Sequence, residues 1–528
     1  MKRQSIPSAT IRLAPGKSDK AETASSTPTV ASVRLELQAA VDGLRQFCES
    51  CESSFSAFEI KLLIRIAVVG RCLIRLFLTA RHERLVLQPF LEDGKYRPGD
   101  PCAERTLKTF YGEVTYGRQY LQQTASGPGF CPLDATLGLS SDKLSPWMIQ
   151  WVARLATRMS FKASKMVCEA VLNWAPATET IERVVLGLGR DAAPFMQQLK
   201  APKGDGEVLV IEIDGKCVPT ATEAELAKRR GKRKAKHERD CPCGCQRHRG
   251  KQKREARGSK KRRKKGDKSK NGKEVTVVVM YTLAKGEDGK LHGPINAKKY
   301  ATFAGRKAGA KWARAEATKR GFGPDTTKTV QIVMDGAKSL RKNMGKLFPK
   351  AILTLDVMHV VERLWSLGRH FHAEGSEALA EWVGELKELL YSGRAQEIVD
   401  RLKKLLEATP TRGPGTKGRR KALASQIGYL GSRLSMMDYG EWLRLDLVIG
   451  SGQAEGAVRQ LVGERFDCGG MRWVRGKAEA LLHLRCIELN GDWEKFTVWH
   501  QRKVRARLAK REPCTVLTDQ PLPLTKAA

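Results

Sequence analysis

The order of the apolar runs between Val208 and Leu355 constrains the fold of this chain more than any other feature. Five short runs, the third weaker than the others, predict strands because they are too short for buried helices. A longer pattern with helical spacing follows the third run, and another, ending at Phe348, separates the last two. The predicted strands are Val208–Ile213, Val275–Leu283, Lys299–Phe303, Val330–Met334 and Ala351–Leu355, and the first helix is Lys307–Arg320.

Three strands, a helix, a strand, a helix and a strand is the order of an RNase H-like mixed sheet. We therefore predict an RNase H-like core over residues 205–370, a helical insertion over 371–440, and C-terminal helices over 441–496 that complete the core. Residues 31–200 are expected to be mainly helical. Residues 1–30 resemble a disordered leader, and residues 497–528 a basic and then disordered tail. The expected fold class is α+β multidomain, with a mixed α/β domain interrupted by helices.

The net charge of +38, from 95 lysines and arginines against 57 acidic residues, predicts a polyanionic partner. About half of it lies between Lys228 and Lys273, a segment with little to bury that is expected to be a flexible loop. Such a loop would hold phosphates without reading sequence, although a solvated loop without a ligand is the alternative. The residues expected to contact DNA there are Lys228, Arg229, Arg230, Lys260, Lys261, Arg262, Arg263, Lys264 and Lys265.

Two patterns in residues 31–200 bear on structure and on DNA binding. Alternation between Thr106 and Gln122 predicts a hairpin that turns near Gly112. Further on, Phe161–Trp174 and Thr178–Leu188 have the spacing of a helix-turn-helix. Ser160 would cap the first helix, and Pro176 with Thr178 or Thr180 would open the second. Two ordinary packed helices are the alternative to a DNA-binding role.

Neither a signal peptide nor a membrane span is expected. The most apolar stretch, Glu59 to Ala80, contains Lys61, Arg65, Arg71 and Arg75, so it is expected to be an amphipathic helix. The 13 cysteines show no disulfide-like framework. A cytoplasmic, nucleoid-associated protein is the expectation.

Three acidic residues lie where the predicted sheet would bring ligands together. Asp214 ends the first strand, Asp335 ends the fourth, and Glu455 lies in the first turns of a late helix. Three converging carboxylates can hold Mg²⁺ or Mn²⁺, and a pair of such ions can cleave a phosphodiester. The start of the helix near Gly450 is expected to help keep Glu455 ionised. Each acid also has an ordinary interpretation, as a turn residue or as a complement to a helix dipole.

Two long segments carry a family resemblance. VMDGAKSLRKNMGKLFPKAILTLDVMHVVERLW and LVIGSGQAEGAVRQLVGERFDCGGMRWVRGKAEALLHLRCIELNGDWEKF resemble the DDE transposases of bacterial insertion sequences, in particular the ISKra group, which is distantly similar to Mutator-like transposases. A looser similarity extends to FYGEVTYGRQYL, PLDATLGL and DGKCVP, so it covers roughly Thr106 to Phe496. The resemblance implies that Asp214, Asp335 and Glu455 are the catalytic, metal-holding triad. It also implies an RNase H-like fold with a helical insertion, and double-stranded DNA as substrate.

The motif D-x-x-H-x-x-E after the fifth strand leaves the second metal ligand open. Steps of three place Asp356, His359 and Glu362 on one helix face. Related transposases carry a Cys/His motif here, so Asp356 with His359 is expected either to support the site or to contact DNA, with Glu362 also supporting. A partly buried structural histidine is the alternative for His359. Asp356 is the alternative to Asp335 as metal ligand, and we favour Asp335.

Two further clusters are weighed for binding. One cluster contains residue types that can bind zinc: Cys241, Cys243 and Cys245 with His237 or His248. Cysteines that alternate with other residues are closer together than the usual zinc-knuckle spacing, so zinc is not expected. This basic, cysteine-bearing loop departs from the family pattern. Trp473, between Arg472 and Arg475, is predicted either to stack on an unpaired base or to pack in the core.

The function expected from these features is transposition: metal-dependent cleavage and strand transfer at the ends of an insertion sequence. A homodimer or higher oligomer on DNA would pair two ends. One rival is an RNase H-like nuclease or resolvase, which would cut without strand transfer. The other is a non-catalytic DNA-binding protein descended from a transposase.

Overall fold

The computed structural model describes residues 28–227, 272–468 and 471–511. Within these ranges the chain is mixed α/β and mostly helical, and it forms two compact units, one made of residues 28–145 with 508–511 and the other running from Pro146 to Arg507. The predicted leader lies outside the described residues except for its last positions, and residues 512–528 of the predicted tail lie outside them.

The first unit contains two long helices and two small antiparallel sheets. The predicted hairpin is confirmed: its strands pair from Arg105 opposite Tyr116 to Thr109 opposite Gly112, and Gly112 has a φ of +108° at the turn. The elements of this unit are α1 (Val30–Ser50), α2 (Phe55–Glu83), α3 (Gln88–Leu91), β1 (Tyr96–Pro98), β2 (Arg105–Thr109), β3 (Gly112–Tyr116), β4 (Leu121–Gln123) and α4 (Pro132–Thr136).

The second unit is built around a five-stranded mixed sheet. Its strands are β5 (Val208–Pro219), β6 (Gly272–Lys285), β7 (Leu291–Thr302), β8 (Thr329–Met334) and β9 (Ile352–Leu355). Their spatial order is β7-β6-β5-β8-β9: the first three pair antiparallel, and β8 and β9 join in parallel. All five predicted strands are present, and the apolar runs of β5, β6 and β8 are buried.

Two strands are longer than their sequence patterns indicated. Asp214 does not end the first strand, since β5 continues to Pro219 by pairing with β6. The third strand begins at Leu291 instead of Lys299, because the polar residues before Lys299 also pair with β6. In both cases backbone hydrogen bonds to a neighbour extend a strand beyond its apolar run.

Helices surround the sheet. Residues 371–440 are helical, as predicted for the insertion. The helices of this unit are α5 (Pro146–Arg158), α6 (Phe161–Leu172), α7 (Thr178–Gln198), α8 (Arg306–Lys319), α9 (Lys338–Leu347), α10 (Val357–Gly368), α11 (Glu377–Tyr391), α12 (Ala395–Ala408), α13 (Thr416–Gly431), α14 (Tyr439–Arg444), α15 (Gly452–Val458), α16 (Glu464–Phe466), α17 (Arg475–Leu489) and α18 (Trp493–Arg511). A π-helical turn, Arg459–Gly463, joins α15 to α16.

The predicted helix pair is present as α6 and α7. Ser160 caps α6 as predicted, since its hydroxyl accepts a hydrogen bond from the amide of Ala163 at 3.1 Å. The second cap differs from the prediction: Ala177 is at the N-cap of α7, and neither threonine hydroxyl caps the helix. The buried face of α7, which includes Val185 and Leu188, packs with α5 and α17.

The structure divides the chain after Ser145 and not near residue 200. Helices α5 to α7 belong to the same unit as the sheet because their apolar faces pack with α17, which also contacts β7. The sequence pattern indicated these helices but not what covers them. Among the described helices, none is both long and apolar enough to span a membrane.

Candidate functional site

Three aspartates form a row on the adjacent strands β5, β8 and β9 and the turns that follow β8 and β9. Ile213 pairs with Met334, and Met334 pairs with Leu355, so the next residues, Asp214, Asp335 and Asp356, belong to one row at one end of the sheet. Neighbouring strands are about 4.8 Å apart, which places the backbone of Asp335 between the other two.

Asp214 is half-buried, and its Oδ1 accepts a hydrogen bond from the amide of Gly215 at 2.6 Å. Burial raises the pKa of its carboxyl, the negative charges of Asp335 and Asp356 raise it further, and His359 acts in the opposite direction. The charges of the neighbouring acids therefore act on Asp214 in the same direction as burial.

Asp335 is held by a backbone donor and a side-chain donor. Its Oδ1 accepts from the amide of Ala337 at 2.9 Å, and its Oδ2 lies 3.2 Å from Nη2 of Arg306. The same arginine donates to Glu274 at 2.7 Å, so it links β6 to this turn. About a quarter of the Asp335 side chain is exposed, which leaves the carboxylate accessible.

Asp356 is fully buried and its carboxylate accepts three hydrogen bonds. Oδ1 accepts from the amide of Met358 at 2.9 Å, while Oδ2 contacts Nδ1 of His359 at 2.8 Å and the hydroxyl of Ser451 at 2.5 Å. Burial opposes ionisation, but the hydrogen bonds from His359 and Ser451 outweigh it and lower the pKa. Asp335 is therefore the more accessible of the two candidate ligands.

His359 places a positive charge among these carboxylates. Its hydrogen bond to Asp356 raises its pKa to about 9, with burial opposing and the charges of Asp214 and Glu362 contributing. The ring is consequently protonated at neutral pH, and Nε2 remains as a second donor. Glu362, the third residue of the motif, is exposed.

Glu455 lies in the first turn of α15 and is exposed. The pKa of its carboxyl is raised above the usual value. Partial desolvation is the largest cause, followed by the charge of Asp356, and Asp214 and Glu362 add to it.

Glu212 is a site residue that the sequence analysis missed. It is 1% exposed and lies two residues before Asp214, on the same face of β5. Its Oε1 accepts from the hydroxyl of Tyr281 at 2.6 Å, and its Oε2 accepts from the amide of Ala454 at 2.7 Å. It thereby ties β5 to the helix that carries Glu455. The available signal was a glutamate inside an otherwise apolar strand.

No three His, Cys, Asp or Glu side chains among the described residues converge closely enough to hold a metal ion as they stand. The donor chemistry nevertheless suits a divalent cation. Asp214 and Glu455 both have raised pKa values, partly because neighbouring carboxylates repel them. A cation placed between such groups would relieve this repulsion.

Trp473 is packed against other side chains. Its Nε1 donates to the carbonyl of Phe466 at 3.1 Å, and its ring contacts Phe161 and Phe466 and lies 5.0 Å from the guanidinium of Arg465. This is the packing alternative of the sequence analysis. The flanking Arg472 and Arg475 are exposed.

The basic segment lies almost entirely outside the described residues, and so do its DNA-contact candidates and the possible zinc ligands Cys241, Cys243, Cys245, His237 and His248. Only Gly272 and Lys273, at its end, are described, and they begin β6.

No protein-family model matches the chain, and no curated protein is significantly similar to it. The function is accordingly argued from the site itself.

Proposed function

We propose that this chain is a DDE-type transposase with an RNase H-like catalytic domain, which cleaves and joins DNA at the ends of an insertion sequence. The observation that carries the proposal is the row of Asp214, Asp335 and Asp356 at one end of a mixed sheet, with the charge of Glu455 acting on the same group. Acids brought together from separate elements, two of them with raised pKa values, are typical of catalytic sites.

Asp214, Asp335 and Glu455 would hold Mg²⁺ or Mn²⁺. When bound, the ions supply an activated water and stabilise the leaving oxygen of the phosphodiester. The surrounding residues orient this set: Arg306 holds Asp335, Glu212 holds the helix of Glu455, and Asp356 fixes the ring of His359. The protonated His359 is suited to donate a hydrogen bond to a phosphate oxygen.

Double-stranded DNA is the proposed partner. The net charge of +38 favours a polyanion, and Arg472, just before α17, and Arg475, its first residue, are exposed. Pairing two ends of an element requires at least two copies of the chain.

The test is Mg²⁺-dependent nicking and joining of a plasmid that carries the DNA flanking this gene. Asp214→Asn, Asp335→Asn and Glu455→Gln should each abolish cutting and leave DNA binding nearly unchanged. The matched control is Asp325→Asn, an exposed acid outside the site, which should cut like the wild type. Retained cutting by any of the three site variants would reject the assignment, cutting without joining would indicate a nuclease, and binding without cutting would indicate a non-catalytic DNA-binding protein.

A further inference from the structure

Helix α2 of the first unit presents an exposed apolar face along its length. Leu63 is 51% exposed, Ile66 44%, Leu73 51% and Phe77 50%. Their spacing of three, seven and four residues is that of the a and d positions of a heptad repeat, so the four side chains lie on one side of the helix. The ring of Tyr111, 39% exposed, packs over Gly70 in the middle of this face.

On its other sides α2 has partners within the unit towards its C-terminal half, while Phe55, Ile60 and Ile64 near its start are also exposed. Leu78 is buried, and Ile74 packs against the core of the hairpin sheet. Arg75 bonds Glu36 of α1 at 2.7 Å, and the guanidinium of Arg65 lies 4.4 Å from the ring centre of Phe47. Because α2 is apolar both on the side that packs within the unit and on the side that faces solvent, we expect both sides to be buried in the functional protein. A contiguous exposed apolar patch on such a helix marks an interaction surface.

The charges at the two ends of the face indicate what covers it. Glu59 and Arg81 are exposed, and each lies eleven residues from Gly70, on opposite sides of it. At a rise of 1.5 Å per residue, both are about 16 Å from Gly70 along the helix. If two copies of α2 cross antiparallel near Gly70, Glu59 of each copy lies opposite Arg81 of the other copy, so the interface contains two such pairs. Leu63 and Phe77, each seven residues from Gly70, meet in the same way.

We propose that this face forms a homodimer in which α2 pairs antiparallel with α2 of a second copy, across a two-fold axis near Gly70. A two-fold interface must be self-complementary, and this face is so in both its apolar residues and its charges. Tyr111 provides an aromatic contact at the centre and Phe77 another two helical turns away, and aromatic residues are common in protein interfaces. A parallel pair would instead place Glu59 against Glu59. The proposal does not depend on the catalytic assignment.

Sedimentation equilibrium of the full-length chain without DNA tests the dimer. The wild type should be a dimer, and Leu73→Glu or Phe77→Glu should weaken it by roughly two orders of magnitude, since each dimer would bury two charges. The control is Leu35→Glu, because Leu35 is 73% exposed and lies on α1, outside the face. The mass that sedimentation gives for this variant should equal that of the wild type. Circular dichroism should show the same helix content in all variants. A monomeric wild type, or a Leu73→Glu variant that remains dimeric, would overturn the proposal.

A charge exchange tests the antiparallel arrangement and uses only exposed residues, so folding is not at risk. Glu59→Arg and Arg81→Glu should each weaken the dimer severalfold, and the double variant should regain most of the affinity. Absence of this recovery would exclude the antiparallel pairing even if a dimer is present.

Discussion

Glu212 accepts a hydrogen bond from the backbone amide of Ala454, with 2.7 Å between Oε2 and N, and so joins the strand of Asp214 to the helix of Glu455. The carboxylate is buried, and burial raises its pKa although the hydroxyl of Tyr281 and the amide of Ala454 act against this. Two catalytic candidates that are far apart in the chain are therefore positioned by one side chain between them.

Glu212→Ala should destabilise the fold and impair cleavage. It leaves the Tyr281 hydroxyl and the Ala454 amide without an acceptor in a buried site, which should cost about 2–4 kcal/mol. Chemical denaturation measures this loss, and Glu207→Gln, an exposed acid just before β5, should stay within about 0.5 kcal/mol of the wild type. If Glu212→Ala proves as stable and as active as Glu207→Gln, the positioning role is wrong.

The charge on His359 should depend on Asp356. In Asp356→Asn the pKa of His359 should fall from about 9 towards its ordinary value of 6.5. The hydrogen bond to the Asp356 carboxylate is the largest cause of the raised pKa, and the variant removes that negative charge. NMR titration of the imidazole nitrogens in metal-free buffer measures this change. The resonances of His370, outside the motif, serve as the reference.

The same shift should appear in stability. Because the folded pKa of His359 is above the unfolded value, its contribution is complete below pH 6.5 and is lost as the pH rises through about 9. The free energy of unfolding should therefore fall over this range more steeply in the wild type than in His359→Asn. Parallel pH profiles for the two proteins would contradict the assignment.

His500 should produce the opposite dependence at acid pH. Burial lowers its pKa to about 4, with the charge of Asp191 opposing, so the folded state holds the ring neutral. As the pH falls below 6.5, His500 becomes protonated in the unfolded chain but stays neutral in the folded chain. The free energy of unfolding therefore decreases until the pH reaches about 4. The loss should approach about 3 kcal/mol, and His500→Phe should flatten this limb of the profile. An unchanged acid limb in that variant would show that other groups cause the loss.

Two glycines on α7 should respond oppositely to alanine. A Cβ on Gly189 would lie 2.5 Å from the Cβ of Ala480 and 2.8 Å from its carbonyl oxygen, where α7 meets α17. A Cβ on Gly187 meets nothing within 4 Å. Gly189→Ala should destabilise by about 1–3 kcal/mol, and Gly187→Ala should stabilise by up to about 1 kcal/mol. Thermal unfolding compares the two, and equal effects would show that the close helix contact is absent.

Local sequence patterns predicted the sheet because its strands are apolar runs with near neighbours of the same kind. Val275–Leu283 lies within β6, and Val330–Met334 within β8. The patterns failed where pairing extended a strand through polar residues, as in the first half of β7. They also left open what Trp473 contacts, since its partners include Phe161, far away in the chain.

The sequence by itself determined which segments form strands and helices and which acids stand at or beside their ends, because these depend on neighbours along the chain. Only the tertiary structure decided that Asp214, Asp335 and Asp356 share one row, since that requires the pairing register of three strands. It also decided that Asp356 is enclosed while Asp335 is accessible, and that Glu212 holds the helix of Glu455. The physical reason is that burial and long-range hydrogen bonds are properties of the packed chain, and no local pattern contains them.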